Sequence, residues 1–145
     1  MRSLILLSML IAADALAQTC ATKTLACSTT TAAALASTDC TASDGSRYQL
    51  WTFNGTAGDE VTIEMHSTAF DTYLLLLDPD GLPLTDSDDL AHTATDSKMV
   101  FTLTANGTWT VVANSLAASK TGDYTISLVC PNAVIVPPAR RRATR

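Results

Sequence analysis

Positive charge is scarce in this 145-residue chain and unevenly spread. No Lys or Arg lies between Arg47 and Lys98, while Arg140, Arg141, Arg142 and Arg145 crowd into the last six positions. Between Gln18 and Ala139 thirteen acidic side chains stand against four basic ones, so the body carries about −9. Such a body repels nucleic acid and attracts divalent cations or basic partners. The basic tail, residues 133–145, follows the run VIVPP and reads as an extended, Pro-stiffened exit, too short and isolated to argue for nucleic-acid binding. Histidine is nearly missing: His66 and His92 are the only two, and no G-x-S-x-G is present, which leaves a Ser-His-Asp hydrolase few parts to draw on. No segment has the ~20 apolar residues that a membrane span needs. Close cysteine pairs of the C-x2-C kind are absent, which removes the usual zinc reading.

The chain opens MRSLILLSMLIAADALAQ. Arg2 is a short positive stretch, Leu4 to Ala13 an apolar core, and Ala15-Leu16-Ala17 a small-x-small cleavage signal. Residues 1–17 therefore read as a secretory signal peptide, and the exported form begins at Gln18. Outside the cytosol, the even set Cys20, Cys27, Cys40 and Cys130 predicts two disulfides. Of three possible pairings, Cys27–Cys40 would close a short loop and Cys20–Cys130 would tie the ends together; this pairing is the one expected.

From Arg47 onward the apolar residues recur with period two. Val61, Ile63 and Met65 alternate with Thr62, Glu64 and His66, and Tyr124, Ile126 and Leu128 alternate with Thr125 and Ser127. The same holds in YQLWTF, KMVFTLT and GTWTVVAN, and this is the pattern of half-buried antiparallel strands. The run YLLLLD does not alternate and is expected to be covered on both sides, or to be a central strand under a loop. Asn54-Gly55 and Asn106-Gly107 match the two-residue hairpin turn, and Asp78-Pro79-Asp80-Gly81 a β-turn with Pro second and Gly fourth. Asn54-Gly55-Thr56 and Asn106-Gly107-Thr108 also match a glycosylation sequon, which the turns explain without it. About seven strands follow Arg47, and one or two more fit TKTLACSTTTAAALAS. The expected fold is an all-β antiparallel β-sandwich of about eight strands with two disulfides, spanning residues 18–132. Trp51 and Trp109 are expected in its core.

The succession GSRYQLWTFNGTAGDEVTIEMHSTAFDTYLLLLDPDG, TDSDD, KMVFTLTANGTWTVVANS and TGDYTISL resembles the bacterial pre-peptidase C-terminal domain family over about residues 44–130. Trp109 replaces the usual Tyr of its G-T-Y strand, and Ser87 stands where Asn often precedes D-D. Asp39-Cys40 and Cys130 look like those of a cysteine-bearing subset. The resemblance implies a jelly-roll-like sandwich appended to secreted proteases and other hydrolases and non-catalytic there. It implies roles in secretion, surface attachment, substrate engagement or assistance to a partner enzyme. Relatives in bacterial collagenases bind collagen and use calcium. A chain of this length has no room for a protease, so the expectation is a domain that acts alone or serves a separately encoded partner.

Five Asp residues fall within Asp78–Asp89, after Asp71 in its apolar surroundings. Neither EF-hand frame fits: counted from Asp78, Gly81 falls too early, and counted from Asp86, Leu90 occupies a ligand position. A non-local calcium site built from Asp71, Asp88 and Asp89 remains the metal reading, against Asp71 as an acceptor of structural hydrogen bonds. Carboxylate-pair catalysis is disfavoured because the Asp residues cluster in one loop. His66 should point outward with Thr62 and Glu64, and His92 reads as a solvated loop residue.

Together these features predict a secreted (extracellular or periplasmic) non-catalytic accessory or binding module. Its partner would be an extracellular polymer, a cell-surface component or a secreted hydrolase, with no nucleic acid and no membrane span. A calcium-dependent binding domain is the alternative, and a small hydrolase the least favoured. N-terminal sequencing of the exported protein is expected to begin at Gln18; a start at Met1 would refute the signal-peptide reading.

Overall fold

A computed structural model describes residues 20–87 and 95–131. The segment read as a signal peptide, Asp88, Asp89, His92 and the basic tail lie outside the described residues. The period-two runs all become strands, and the described chain has ten in all: β1 Thr22–Thr24, β2 Thr29–Leu35, β3 Cys40–Thr41, β4 Ser46–Gly55, β5 Glu60–His66, β6 Thr72–Leu77, β7 Pro83–Ser87, β8 Ser97–Thr102, β9 Gly107–Ala118 and β10 Gly122–Val129. They form two sheets. One has the order β1-β4-β9-β6-β7, with β3 added beside β4, and the other the order β2-β10-β5-β8. The β-sandwich is thus as expected, with ten strands rather than about eight; β3 and β7 come from segments to which no strand was assigned. One pair departs from the antiparallel rule, since β1 runs parallel to β4.

Alternation places one face of each strand in a shared core. Trp51, Phe53, Trp109, Val111, Leu74 and Leu76 meet Val61, Ile63, Met65, Tyr124, Ile126 and Leu128, all buried. Each large side chain removed from water contributes roughly 1.5–3 kcal/mol. Both tryptophans are core residues, as expected, and each indole N–H finds an acceptor: Trp51 Nε1 donates to Tyr124 Oη at 2.9 Å and Trp109 Nε1 to the Ala105 carbonyl at 3.2 Å.

Two sequence expectations, on the Asn-Gly turns and on the disulfides, are corrected. Asn54-Gly55 and Asn106-Gly107 do not make two-residue hairpins. Asn54 and Gly55 end β4 in one sheet while β5 belongs to the other, and Gly107 opens β9 after the chain has crossed back from β8. Crossing between sheets lets consecutive strands bury their apolar faces against each other. Gly55 is needed for close approach, because a Cβ there would lie 2.2 Å from Leu103 Cδ1. β6 is a central strand, between β9 and β7, and no second layer over its outer face is seen among the described residues. Leu74 and Leu76 are buried, while Tyr73, Leu75 and Leu77 face outward and are half-buried. The Asp78–Gly81 turn that follows forms as read from the sequence: Gly81 N–H donates to the Asp78 carbonyl at 2.9 Å, and Asp78 Oδ1 accepts the N–H groups of Asp80 and Leu82.

The disulfides join Cys20 to Cys40 and Cys27 to Cys130, not Cys27 to Cys40 and Cys20 to Cys130. Strand register decides this. β2 pairs with β10 so that Thr29 faces Leu128, and two residues further out Cys27 meets Cys130, with Cα atoms 5.5 Å apart. β1 and β3 both flank β4, which brings Cys20 to Cys40 with Cα atoms 5.8 Å apart. The Cys27–Cys130 bridge spans 103 residues and Cys20–Cys40 spans 20. In the chain-entropy model loops of roughly 100 and 15 residues are worth about 4.7 and 3 kcal/mol. Replacing Cys27 and Cys130 together by Ala should therefore lower the unfolding free energy more than replacing Cys20 and Cys40. Denaturant unfolding of both double variants, with peptide mapping of the bridges, checks this; an equal or reversed order would contradict it.

Candidate functional site

Three surface features can bear function: the region of the metal reading, a groove on one end of the second sheet, and the outer face of the first sheet. Asp71 does not stand within a strand; it immediately precedes β6, half-buried, and its carbonyl accepts the Leu116 N–H at 2.8 Å. Asp88 and Asp89, the other two proposed ligands, lie outside the described residues. Among the described residues no three His, Cys, Asp or Glu side chains converge to hold a metal. Asp78 and Asp80 are turn residues, so the described carboxylates alone do not make the six-to-eight-oxygen set that calcium takes.

The groove, about 780 Å³, lies where β5, β10 and β2 meet the loop before β8, lined by Ala32, His66, Thr68, Asp96, Asp123 and Thr125. His66 points outward from β5, as its parity with Glu64 requires. Its Nδ1 lies 2.9 Å from Asp96 Oδ2 and its Nε2 3.3 Å from Glu64 Oε2. Lys98, opposite Glu64 on β8, reaches Glu64 Oε1 at 2.7 Å. The hydrogen bond to Asp96, aided by that to Glu64, raises the His66 pKa above its ordinary value, and the Lys98 hydrogen bond lowers that of Glu64. The neighbouring Ser67 hydroxyl is spent on structure: it donates to the Asp123 carbonyl at 2.7 Å and accepts the N–H of Ala69 and, at 3.4 Å, that of Phe70. The trio Ser67, His66 and Asp96 is adjacent but not wired as a triad. Both imidazole nitrogens sit on carboxylates, which favours the imidazolium and leaves no lone pair to accept a serine proton.

The two outer faces differ in chemistry. Across the second sheet the outward row Thr30, Ser127, Glu64 and Lys98 is small and charged, and the row Val129, Thr62 and Val100 beside it exposes two valines. Across the first sheet, register aligns Leu50, Val112 and Leu75 in one row and Tyr48, Asn114 and Tyr73 in the next. The two tyrosines stand two strands apart, roughly 10 Å. Tyr73 donates to Asp86 Oδ2 at 2.8 Å, Tyr48 Oη lies 3.3 Å from Cys20 Sγ, and Asn114 Nδ2 donates to Ser46 Oγ at 3.1 Å. Leu77 continues the apolar tract toward Leu82 and Leu84, 60 % and 41 % exposed. Sequence reasoning missed this face because its residues come from three strands far apart in the chain. The signal was the unbroken YLLLL run, whose outward half needs a reason to be apolar.

Residues 47–115 match the model of the bacterial pre-peptidase C-terminal domain, a family whose members are typically non-catalytic accessory modules. Among solved structures the chain is similar to the pre-peptidase C-terminal domain of collagenase from Bacillus anthracis, at TM-score 0.57 and 12 % identity over 77 % of this chain and 97 % of that one. It is also similar to PliG from Aeromonas hydrophila, a periplasmic inhibitor of g-type lysozyme, at TM-score 0.54 and 13 % identity over 75 % and 96 %. At such identities these likenesses speak to the fold. No curated protein sequence matches the chain.

The His66 cluster has a pH signature. A histidine with a raised folded pKa adds stability that is fully present below the unfolded value of about 6.5. That contribution is lost as pH rises through the higher folded value. Glu64, with a lowered pKa, adds stability above the ordinary Glu value that is lost in acid. The His66 side chain is 42 % exposed, so the effect is small, below about 1 kcal/mol. His66→Gln should melt below the wild type near pH 6 and converge with it at alkaline pH. A constant difference across the range would show that His66 acts by packing alone.

Proposed function

We propose that the protein is a secreted, non-catalytic binding module that engages an extracellular polymer or a partner hydrolase through the outer face of its first sheet. The observation that carries this is the row Tyr48–Asn114–Tyr73 beside Leu50–Val112–Leu75. A solvent-facing sheet surface is ordinarily polar, and a contiguous apolar tract with aromatic members marks an interaction site. Two aromatic rings with an amide between them suit a repeating polymer or the side chains of a protein partner, since each offers flat apolar area with a polar handle. The acidic body favours a basic partner over an acidic one. A relative in fold that inhibits a lysozyme, and another that is part of a collagenase, are consistent with service to or against a hydrolase. The engaged Ser67 and the doubly paired His66 support the non-catalytic reading. Two disulfides suit an oxidising, extracellular or periplasmic setting. Calcium would enter through Asp71, Asp88 and Asp89 as an aid to binding.

The test is sedimentation with insoluble peptidoglycan, chitin and gelatin, and titration against a g-type lysozyme, each with millimolar Ca²⁺ and then chelator. Wild type is expected to bind one of these. Losing one central aromatic anchor typically costs about 2 kcal/mol, roughly thirtyfold in affinity. Tyr73→Ala and Leu75→Asp should each show a loss of that order with their folds intact, whereas Thr62→Asp on the opposite sheet should not. Binding that survives both first-sheet variants would remove this face from the function. Binding or melting temperature unchanged by Ca²⁺ would remove the cation.

A further inference from the structure

We propose that the free edge of β2 pairs with β2 of a second copy of this chain, antiparallel and centred on Thr31, so that two four-stranded sheets become one continuous sheet. This is independent of the first-sheet face.

A strand at a sheet edge presents unpaired N–H and C=O groups, and monomeric proteins blunt such edges with charge, proline or brevity. The other sheet edges of this sandwich are blunted. β1 is three residues long and carries Lys23, β3 is two residues long, β7 opens with Pro83 and contains Asp86, and β8 carries Lys98. β2 is seven residues, TTTAAAL, with neither charge nor proline, and no charged residue occurs from Thr24 to Thr38.

Its hydrogen-bonding groups show which part is open. Gln49 Nε2 reaches the Ala34 carbonyl at 2.9 Å, so the backbone groups of Ala34 point away from β10. By the alternation of an antiparallel ladder those of Thr30 and Ala32 do the same. At the upper end the edge is already capped, since Asp39 Oδ2 accepts the Ala36 N–H at 2.7 Å and Gln49 covers Ala34. At the lower end Ser28 N–H is used on the Leu128 carbonyl. Among the described residues nothing meets the outward N–H and C=O of Thr30 and Ala32. A two-fold axis at Thr31 sets Thr30 of one copy against Ala32 of the other, and the open groups satisfy one another without displacing either cap.

Charge selects the occupant. The body is strongly acidic, so two copies repel wherever their carboxylates face each other; along β2 they bring no charge together, and the small Thr and Ala side chains let the edges close. A pairing this narrow gives a weak dimer that depends on concentration.

Analytical ultracentrifugation and amide exchange on the exported chain, from micromolar to millimolar concentration, test the proposal. The weight-average mass should rise toward that of two chains, with the Thr30 and Ala32 amides gaining protection in step. Ala32→Pro removes an N–H that makes no bond inside the sheet, and Thr30→Lys adds the missing edge charge; both should hold the protein as a single chain. If Ala32→Pro fails to fold, Thr30→Lys decides. The proposal is overturned by a wild type that stays single throughout, or by a dimer that both variants leave intact. Protection of both amides in a protein that stays single would mean that another segment of the chain covers the edge, and would also overturn it.

Discussion

The two sheets are held in one relative position by hydrogen bonds buried between them, and the rest of the molecule is arranged around those bonds. Tyr124 of β10 accepts from Trp51 and donates to Gln49 Oε1 at 2.6 Å, both on β4 of the opposite sheet. Gln49 passes the connection to the Ala34 carbonyl and Asp39, and Lys23 donates to Gln49 while lying 5.2 Å from the Trp51 ring centroid. Burial pushes the Tyr124 phenol well above its ordinary pKa, so it stays a neutral donor. Toward another edge, Thr72 of β6 and Ser97 of β8 share a 2.7 Å bond, and each also reaches a backbone carbonyl across the gap. Apolar packing tolerates sliding of one sheet over another, but buried polar groups do not, because each lost partner costs about 1–3 kcal/mol.

This clamp has consequences at the surface. With the sheets locked, the outward residues of β4, β9 and β6 form a fixed plane, so Tyr48 and Tyr73 hold their spacing without a ligand. The same Gln49 that bridges the sheets also caps the upper end of β2, which leaves a short open edge rather than a long one. The second sheet adds charge pairing through Lys98, Glu64, His66 and Asp96 to a face that also exposes Val100 and Val129. One sandwich thus carries two faces of different character, and its chemistry lies on faces and edges instead of in a deep cleft.

Much of the fold was legible in the chain, and the reason is periodicity. Where a strand has one wet and one dry face, as β5 and β10 do, alternation reports strand and orientation together. It placed His66 outward and both tryptophans inward correctly. It could not tell the outward Leu75 and Leu77 of β6 from covered ones, and on Cys27 and Cys40 nearness in sequence was a poorer guide than strand register. The acidic stretch was legible only as a turn at Asp78–Gly81, since a local hydrogen-bond pattern needs only local residues.

The sequence by itself determined most of the strands, the apolar face of most of them, the β-turn after β6, the family resemblance and the acid excess. Each of these depends on residues a few positions apart or on composition. Only the tertiary structure decided which cysteines meet, that His66 is gripped by Asp96 thirty residues away, that three strands combine into the Tyr48–Asn114–Tyr73 row, and that β2 lies at an edge. Strand order and register are set by how two apolar faces close over each other, a property of the whole assembly that no single segment carries.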